Sequence, residues 1–298
     1  MLLMPKPAHK SPEGFGMTIA ISVKVHNGVV LAADSASTLT TLTPDGQRQV
    51  ANIFTSARKI FRLHKDIKVP IGLMVWGEAG IGHASISILA KDLRYRFMDK
   101  GNRDFYIDPS NKFNVEDVAK RAKQFFYDEI YMSEFGDKNY KPFIGFMVAG
   151  YSSNEGLPEV WEIDIQEGGK CLGPLLRRSK EEIGINWAGE PEALTRLIKG
   201  HSGFIGNVLQ ELGVPKDQIE PAVELIGTRL DVPLVQAPMP IQDTIELAMF
   251  LVNTAINFSR FIPGPQTVGG PIDVVAITKH EGFRWVQRKF WFQSELNP

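Results

Sequence analysis

Thr18 and Asp34 are the first residues of this chain whose types and spacing could do chemistry together. Ile19, Ile21, Val23 and Val25 alternate with small or polar residues, the period of a half-buried strand, and Val29 to Ala33 is a second apolar run. Between them His26-Asn27-Gly28 marks a hairpin, with Asn27-Gly28 expected as the central pair of a type I′ turn, where both residues need positive φ. Such a hairpin carries Asp34 back to the rim at which Thr18 starts, so a hydroxyl and a carboxylate meet at one end of a sheet. A threonine hydroxyl is a weak nucleophile at neutral pH and needs an adjacent base. None of His9, His26, His64, His83, His201 and His280 stands in a triad or metal-ligand spacing. The chain can supply a base itself: cutting the Met17–Thr18 bond frees an α-amine of pKa about 8 on the same residue as the hydroxyl. A neighbouring ammonium lowers that pKa by like-charge repulsion and enlarges the neutral, basic fraction.

The elements that must position these groups follow in order. Residues 1–17 carry prolines, lysines and glycines without period and are expected to be a leader or propeptide. Ser35 to Ala57, rich in Ser and Thr with a Pro44-Asp45-Gly46 turn, reads as a loop or mobile ribbon. Lys59 to Leu63 and Ile71 to Trp76 are strand candidates. The glycine loop Gly77-Glu78-Ala79-Gly80-Ile81-Gly82 leads into a helix from Ser85 to Met98 with Ile88, Leu89, Leu93 and Phe97 at helical spacing. Asn114 caps a second helix, with Asp117 as the reciprocating acid and Val115, Val118, Ala122, Phe125 and Phe126 as its apolar stripe, ended by Gly136. Strands are expected at 143–149, 160–165 and 171–176, a helix from Pro191 to Lys199, and a well-buried helix from Ile241 to Phe258. Prolines 215, 221, 233 and 238 break residues 200–240 into short helical pieces, and a last strand pair spans 273–278 and 283–286. Two runs of strands, each followed by helices, predict two antiparallel sheets face to face with helices outside: an α+β, four-layer αββα sandwich.

Composition narrows the function classes. With 33 basic and 34 acidic residues the chain has no electrostatic footprint for nucleic acid or an anionic membrane. No stretch is long and apolar enough to span a bilayer, and the interrupted start does not form a secretory signal. One cysteine, Cys171, permits no internal disulfide and fits a reducing, cytoplasmic compartment.

Thr18, the Gly-Val-Val-Leu-Ala-Ala-Asp run of 28–34, Lys59-Ile60-Phe61 and the far Gly269-Gly270-Pro271-Ile272-Asp273-Val274-Val275-Ala276-Ile277-Thr278 together resemble a proteasome β-subunit and its bacterial relatives, which are N-terminal nucleophile hydrolases. The resemblance runs in order from residue 18 to about 285, each motif being short. It implies a single sandwich domain over 18–298 with a helical insertion at about 200–240. It implies Thr18 as nucleophile, Lys59 as the ammonium beside its amine, Asp34 holding Lys59, and the Gly77 N–H as oxyanion donor. The pocket for the side chain before the scissile bond would be lined by Ser37, Val75 and Ala79, an uncharged slot. The activity implied is a threonine-type endopeptidase needing no metal or cofactor. Its substrates are peptides or unfolded proteins, and it sits in a homo-oligomeric ring or helical assembly, with an ATP-dependent unfoldase as a further partner.

This chain departs from that pattern where a supporting aspartate and serine would stand: Pro265 and Val268 occupy those places, and Gly189-Glu190-Pro191 replaces a Gly-Ser-Gly loop. Glu190 and Thr267 are the candidates for a rebuilt network. Three other readings stay open. A catalytically silent subunit keeps Thr18 as an internal amide, and an amidohydrolase of the same type acts on a small amide. A phosphate cradle at Gly77, Gly80 and Gly82 matches neither the dinucleotide fingerprint nor the P-loop spacing.

Overall fold

The computed structural model of the protein describes residues 18–43 and 48–289, so the expected leader and the Pro44-Asp45-Gly46 turn lie outside the described residues. The elements are, in chain order, β1 (Ile19–Val25), β2 (Gly28–Ala33), β3 (Ser37–Leu42), β4 (Arg48–Phe54), β5 (Ile60–Arg62), β6 (Ile71–Gly77), the short pair β7 (Gly80–Ile81) and β8 (Ala84–Ser85), and α1 (Ile86–Met98). Next come α2 (Val115–Lys123), a π-helical stretch Gln124–Tyr131 running into α3 (Met132–Phe135), β9 (Ile144–Gly150), β10 (Glu159–Ile165), β11 (Cys171–Arg178) and β12 (Gly184–Gly189). The remainder is α4 (Glu192–Lys199), α5 (Ile205–Glu211), α6 (Lys216–Leu230), α7 (Ile241–Phe261), β13 (Asp273–Thr278) and β14 (Gly282–Gln287).

Two five-stranded antiparallel sheets form, in the orders β12-β1-β2-β13-β14 and β11-β10-β9-β6-β5, while β3–β4 and β7–β8 pair only with each other. Alternation along each strand divides the apolar residues between two faces. Ile19, Ile21 and Val23 pack with α4 and α7 residues such as Leu194, Leu251 and Val252. Ala20, Leu31 and Ala33 instead join Ile60, Met74, Trp76 and Met147 of the second sheet in one cluster. On the second sheet, Leu73, Val75, Phe146 and Val148 pack against Leu89, Leu93, Phe125 and Phe126 of the first helices. This is a mixed α/β protein with several sheets. No helix among the described residues is long and apolar enough to cross a membrane.

Local structure departs from the sequence expectations in five places. α7, expected to be well buried, buries only the face of Ile245, Ala248, Leu251, Val252 and Ala255 and leaves Phe250 exposed. Val25 pairs with Gly28, which leaves His26 and Asn27 as the turn residues, and neither has positive φ. Gly28 is needed for packing instead: a Cβ there would lie 2.8 Å from the Ile277 carbonyl oxygen and 2.9 Å from Ile241 Cδ1. Ile88, expected in the buried stripe of α1, is 51% exposed, and Ile86 and Ala90 are buried in its stead. β12, absent from the expected strands, flanks β1 along its whole length. Pro221 lies inside the 15-residue α6 without ending it. Other signals hold as read. Asn114 Oδ1 accepts the Asp117 N–H at 2.7 Å and its Nδ2 donates to Asp117 Oδ2 at 2.9 Å.

Candidate active site

Thr18 shares the period-two face of Ala20, Ser22 and Lys24, the face of β1 turned toward the second sheet. Asp34 follows the last residue of β2 and Lys59 precedes β5, so the three side chains come from both sheets and meet between them. Lys59 is fixed by β6, whose Val75 N–H donates to the Lys59 carbonyl at 2.9 Å. Thr18 is fixed by the end of β12. Ile19 pairs with Gly189, and the Glu190 N–H donates to the Thr18 carbonyl at 2.7 Å. Gly189 has φ of 96°, and a Cβ there would fall 2.0 Å from the Thr18 carbonyl oxygen, so only glycine fits.

Thr18 Oγ1 donates to Asp34 Oδ1 at 2.8 Å and accepts from Lys59 Nζ. Lys59 Nζ also pairs with Asp34 Oδ1 at 2.5 Å. The carboxylate is saturated: Oδ1 takes the Ile19 N–H at 3.0 Å as well, and Oδ2 takes the Ala36 and Gly269 N–H groups at 3.1 and 2.9 Å. Asp34 is fully buried, Thr18 is 2% exposed and Lys59 7% exposed. A buried pair of charges costs desolvation free energy and is tolerated only when its remaining valences are met, as those of the Asp34 carboxylate are here. Burial pushes the Lys59 ammonium below the ordinary lysine value, and Asp34 opposes that shift. The arrangement presents a hydroxyl oxygen to a lysine nitrogen of lowered proton affinity, a geometry that can activate an oxygen nucleophile.

The other expected site residues are distributed around this centre. Gly77 ends β6 two residues beyond Val75, toward the same rim as Lys59, with φ of 89°. Its conformation and the 2.6 Å approach that a Cβ would make to the Phe143 carbonyl oxygen require glycine. Ser37 begins β3 at the base of the β3–β4 ribbon, Val75 is buried in the cluster beneath the helices, and Ala79 is exposed in the loop after β6. Glu190 reaches Thr18 through its backbone only, and burial raises the pKa of its carboxyl. Thr267 is buried beside Val268 and is not among the hydrogen-bond partners of Thr18, Asp34 or Lys59.

The network that stands behind the centre is one the sequence reading missed. Lys289 Nζ pairs with Asp273 Oδ2 at 2.6 Å and donates to Ser35 Oγ, which itself donates to the Pro271 carbonyl. Asp273 was visible only as part of the Gly-Gly-Pro-Ile-Asp run, and Lys289, just past the last strand, gave no signal at all.

Two rival features resolve on the same grounds. At the glycine loop, Gly80 and Ala84 lie in the β7–β8 pair, and a Cβ on Gly82 would meet the Glu134 carboxylate at 2.7 Å. A carboxylate in that position repels a phosphate. Burial pushes the Cys171 thiol up to about 11, which leaves it inert at neutral pH.

Anbu (ancestral beta-subunit) from Yersinia bercovieri superposes with a TM-score of 0.53 at 13% identity, over 91% of this chain and 88% of that one. A Gly-1 mutant of Anbu from Hyphomicrobium sp. strain MC1 gives a TM-score of 0.52 at 14% identity, over 91% and 86%. The chain therefore shares the fold of these Anbu structures. No family model matches it, and no curated protein matches it in sequence. The resemblance to the proteasome β-subunit family is corrected accordingly: the likeness is of fold, to Anbu, at 13–14% identity, and the short shared motifs do not extend to membership of that family.

Proposed function

We propose that the chain is a threonine-type hydrolase of peptide bonds in which Thr18 Oγ1 is the nucleophile and the Thr18 α-amine, freed by cleavage after Met17, is the base. The contact of Thr18 Oγ1 with both Lys59 Nζ and Asp34 Oδ1 in a buried polar centre carries this reading. The α-amine takes the hydroxyl proton as Oγ1 attacks the peptide carbonyl, and a backbone N–H, assigned to Gly77, holds the oxyanion. Collapse expels the leaving amine, which takes the proton from the α-ammonium and leaves an ester on Thr18. Water deprotonated by the same amine then releases the acid and restores the hydroxyl. Lys59 stabilises the developing negative charge on Oγ1, and Asp34 holds Lys59.

Thr18 is 2% exposed, so its oxygen is closed to substrate in this state. Cleavage after Met17 would supply the base. The same burial supports the second reading, a silent subunit in which Thr18 stays an internal amide.

The proposal extends to a four-layer αββα arrangement in one domain over 18–298 with a helical insertion at about 200–240, and to a homo-oligomer that encloses the sites. It also extends to a specificity slot at Ser37 and Ala79 that favours an apolar side chain, whose burial contributes about 1.5–3 kcal/mol; Val75 is left out of it, because its side chain lies in the cluster beneath the helices. Intact mass together with hydrolysis of fluorogenic peptides tests the core of it. Active protein is expected to begin at Thr18, and T18A to lose turnover. Peptide hydrolysis by material that retains residues 1–17, or undiminished in T18A, would overturn it. Light scattering is expected to exceed the 33.2 kDa of one chain.

A further inference from the structure

Around the Thr18 centre Lys59 interacts with the charges of Asp34, Asp273 and Lys289, Lys289 with those of Asp273, Asp34 and Arg58, and Arg58 with those of Arg288 and Asp273. The second pair is as buried as the first, with the Lys289 side chain 7% and the Asp273 side chain 1% exposed. Asp273 holds Lys289 at both ends, taking its backbone N–H on Oδ1 at 3.1 Å and its ammonium on Oδ2. The two pairs are joined without a gap. Lys289 Nζ donates to Ser35 Oγ, the Ser35 N–H donates to the Gly269 carbonyl at 2.9 Å, and the Gly269 N–H donates to Asp34 Oδ2 at 2.9 Å.

An arrangement built only to cap the strand ends needs no second buried ammonium. Neutral donors would satisfy Ser35 and Asp273 without the desolvation cost of a charge. A buried charge beside another, however, acts with little screening by salt or water. We infer that Lys289, held by Asp273 and Ser35, is a positioning residue whose positive charge lowers the proton affinity of the Thr18–Lys59 centre. Asp34 and Asp273 act in the opposite sense on Lys59, and burial of Lys59 acts in the same sense as Lys289. The inference deepens the proposed function and rests on it, since Lys59 is the residue assigned there to stabilise the charge on Thr18 Oγ1, and the charge of Lys289 acts on the adjoining Thr18 amine in the same sense as on Lys59.

The test reads the Lys59 titration directly, by NMR of full-length protein carrying 13C-labelled lysine, with the Lys59 signal assigned by its loss in K59R. K289Q keeps hydrogen-bonding capacity toward Ser35 and Asp273 but removes the charge. Its Lys59 midpoint is expected to rise by about one pH unit. K289R, which keeps the charge, is expected to hold the midpoint where the unsubstituted chain has it. K289M, a second neutral variant, guards against a K289Q chain that fails to fold, and melting curves establish which variants are folded. A folded neutral variant with an unmoved or lowered Lys59 midpoint overturns the inference. So does a K289R chain whose midpoint moves as far as that of K289Q, because the role is then packing. In peptide hydrolysis the acid limb of the kcat/KM profile is expected to move to higher pH in K289Q. Loss of the plateau with the limb unmoved counts against the inference. If T18A still hydrolyses peptides, the functional reading fails while the Lys59 titration still decides the role of Lys289.

Discussion

A buried lysine stands at each end of β1, and the two are held differently. At the far end Lys24, fully buried, donates to two backbone carbonyls, those of Lys180 at 2.8 Å and Glu182 at 2.5 Å. At the near end Lys59 meets a carboxylate and a hydroxyl. Burial lowers the proton affinity of both. Two neutral carbonyls close a loop over a cation but offer it nothing to react with, whereas at the near end the acceptors are a carboxylate and the hydroxyl proposed above as the nucleophile. A buried lysine alone is therefore no sign of chemistry; its acceptors decide.

The sharpest way to break this comparison is to replace each lysine by methionine. K59M is expected to cut peptide hydrolysis by about 100- to 10 000-fold, the range for losing a group that manages proton transfer or charge at a reacting oxygen. It also strands Asp34 without its cation and is expected to cost about 3–5 kcal/mol of stability by denaturant titration. K24M is expected to leave kcat/KM within about twofold, because Lys24 lies at the opposite end of the strand from Thr18. Comparable losses of hydrolysis in the two variants would erase the distinction between the ends.

The glycines at each end extend the contrast with a smaller effect. Gly189 needs positive φ and touches the Thr18 carbonyl, so G189A combines backbone strain of about 1–3 kcal/mol with displacement of Thr18 itself. Both the melting temperature and kcat/KM are expected to fall. Gly28, opposite Val25 at the Lys24 end, faces only a close approach to Ile277 and Ile241. G28A is expected to lower stability while kcat/KM of the folded fraction is kept. Full hydrolysis by folded G189A would show that Thr18 does not depend on the end of β12 for its position.

How much of this could be read from the chain follows from where the information is local. β1 and β2 declare themselves through alternation and a continuous apolar run, and Asn114 through its spacing to Asp117, so hairpin, cap and helix stripes were legible. Thr18 and Asp34 are legible in the hairpin and Lys59 in the family resemblance, and the structure brings the three within contact. β12 was not found, because Gly184 to Gly189 is half-buried throughout and framed by glycines that look like turns. With it went the role of Gly189 and the Glu190 backbone in holding Thr18. The Ser35–Lys289 contact joins residues 254 apart, and no spacing rule reaches that far. Assigning the sheets failed similarly: the first run of strands is divided between the two sheets, because β5 and β6 cross to the second one. Val75 shows the limit of carrying a role by position, since its side chain lies in the cluster under the helices.

The smallest expected effect is the pH dependence that Lys24 contributes, and its sign is fixed by linkage. Burial is the main cause that lowers the Lys24 pKa from 10.5 to about 8, with Glu181 and Glu182 opposing it. Below pH about 8 both folded and unfolded chains carry the proton, and the penalty of burying the ammonium is fully present. Between about 8 and 10.5 the unfolded chain binds more protons at this site than the folded one, so folding is favoured progressively as pH rises. K24M has no such group. The stability of the unsubstituted chain minus that of K24M is thus expected to grow by about 1 kcal/mol over the first pH unit above that midpoint, a differential measurement that cancels the other lysines. Urea titrations of both chains at matched ionic strength provide it. A difference that stays flat across this window would mean that the two carbonyls and the flanking glutamates hold the Lys24 proton as firmly as water does, and the far end of β1 would then differ from the near end in its partners but not in its protonation.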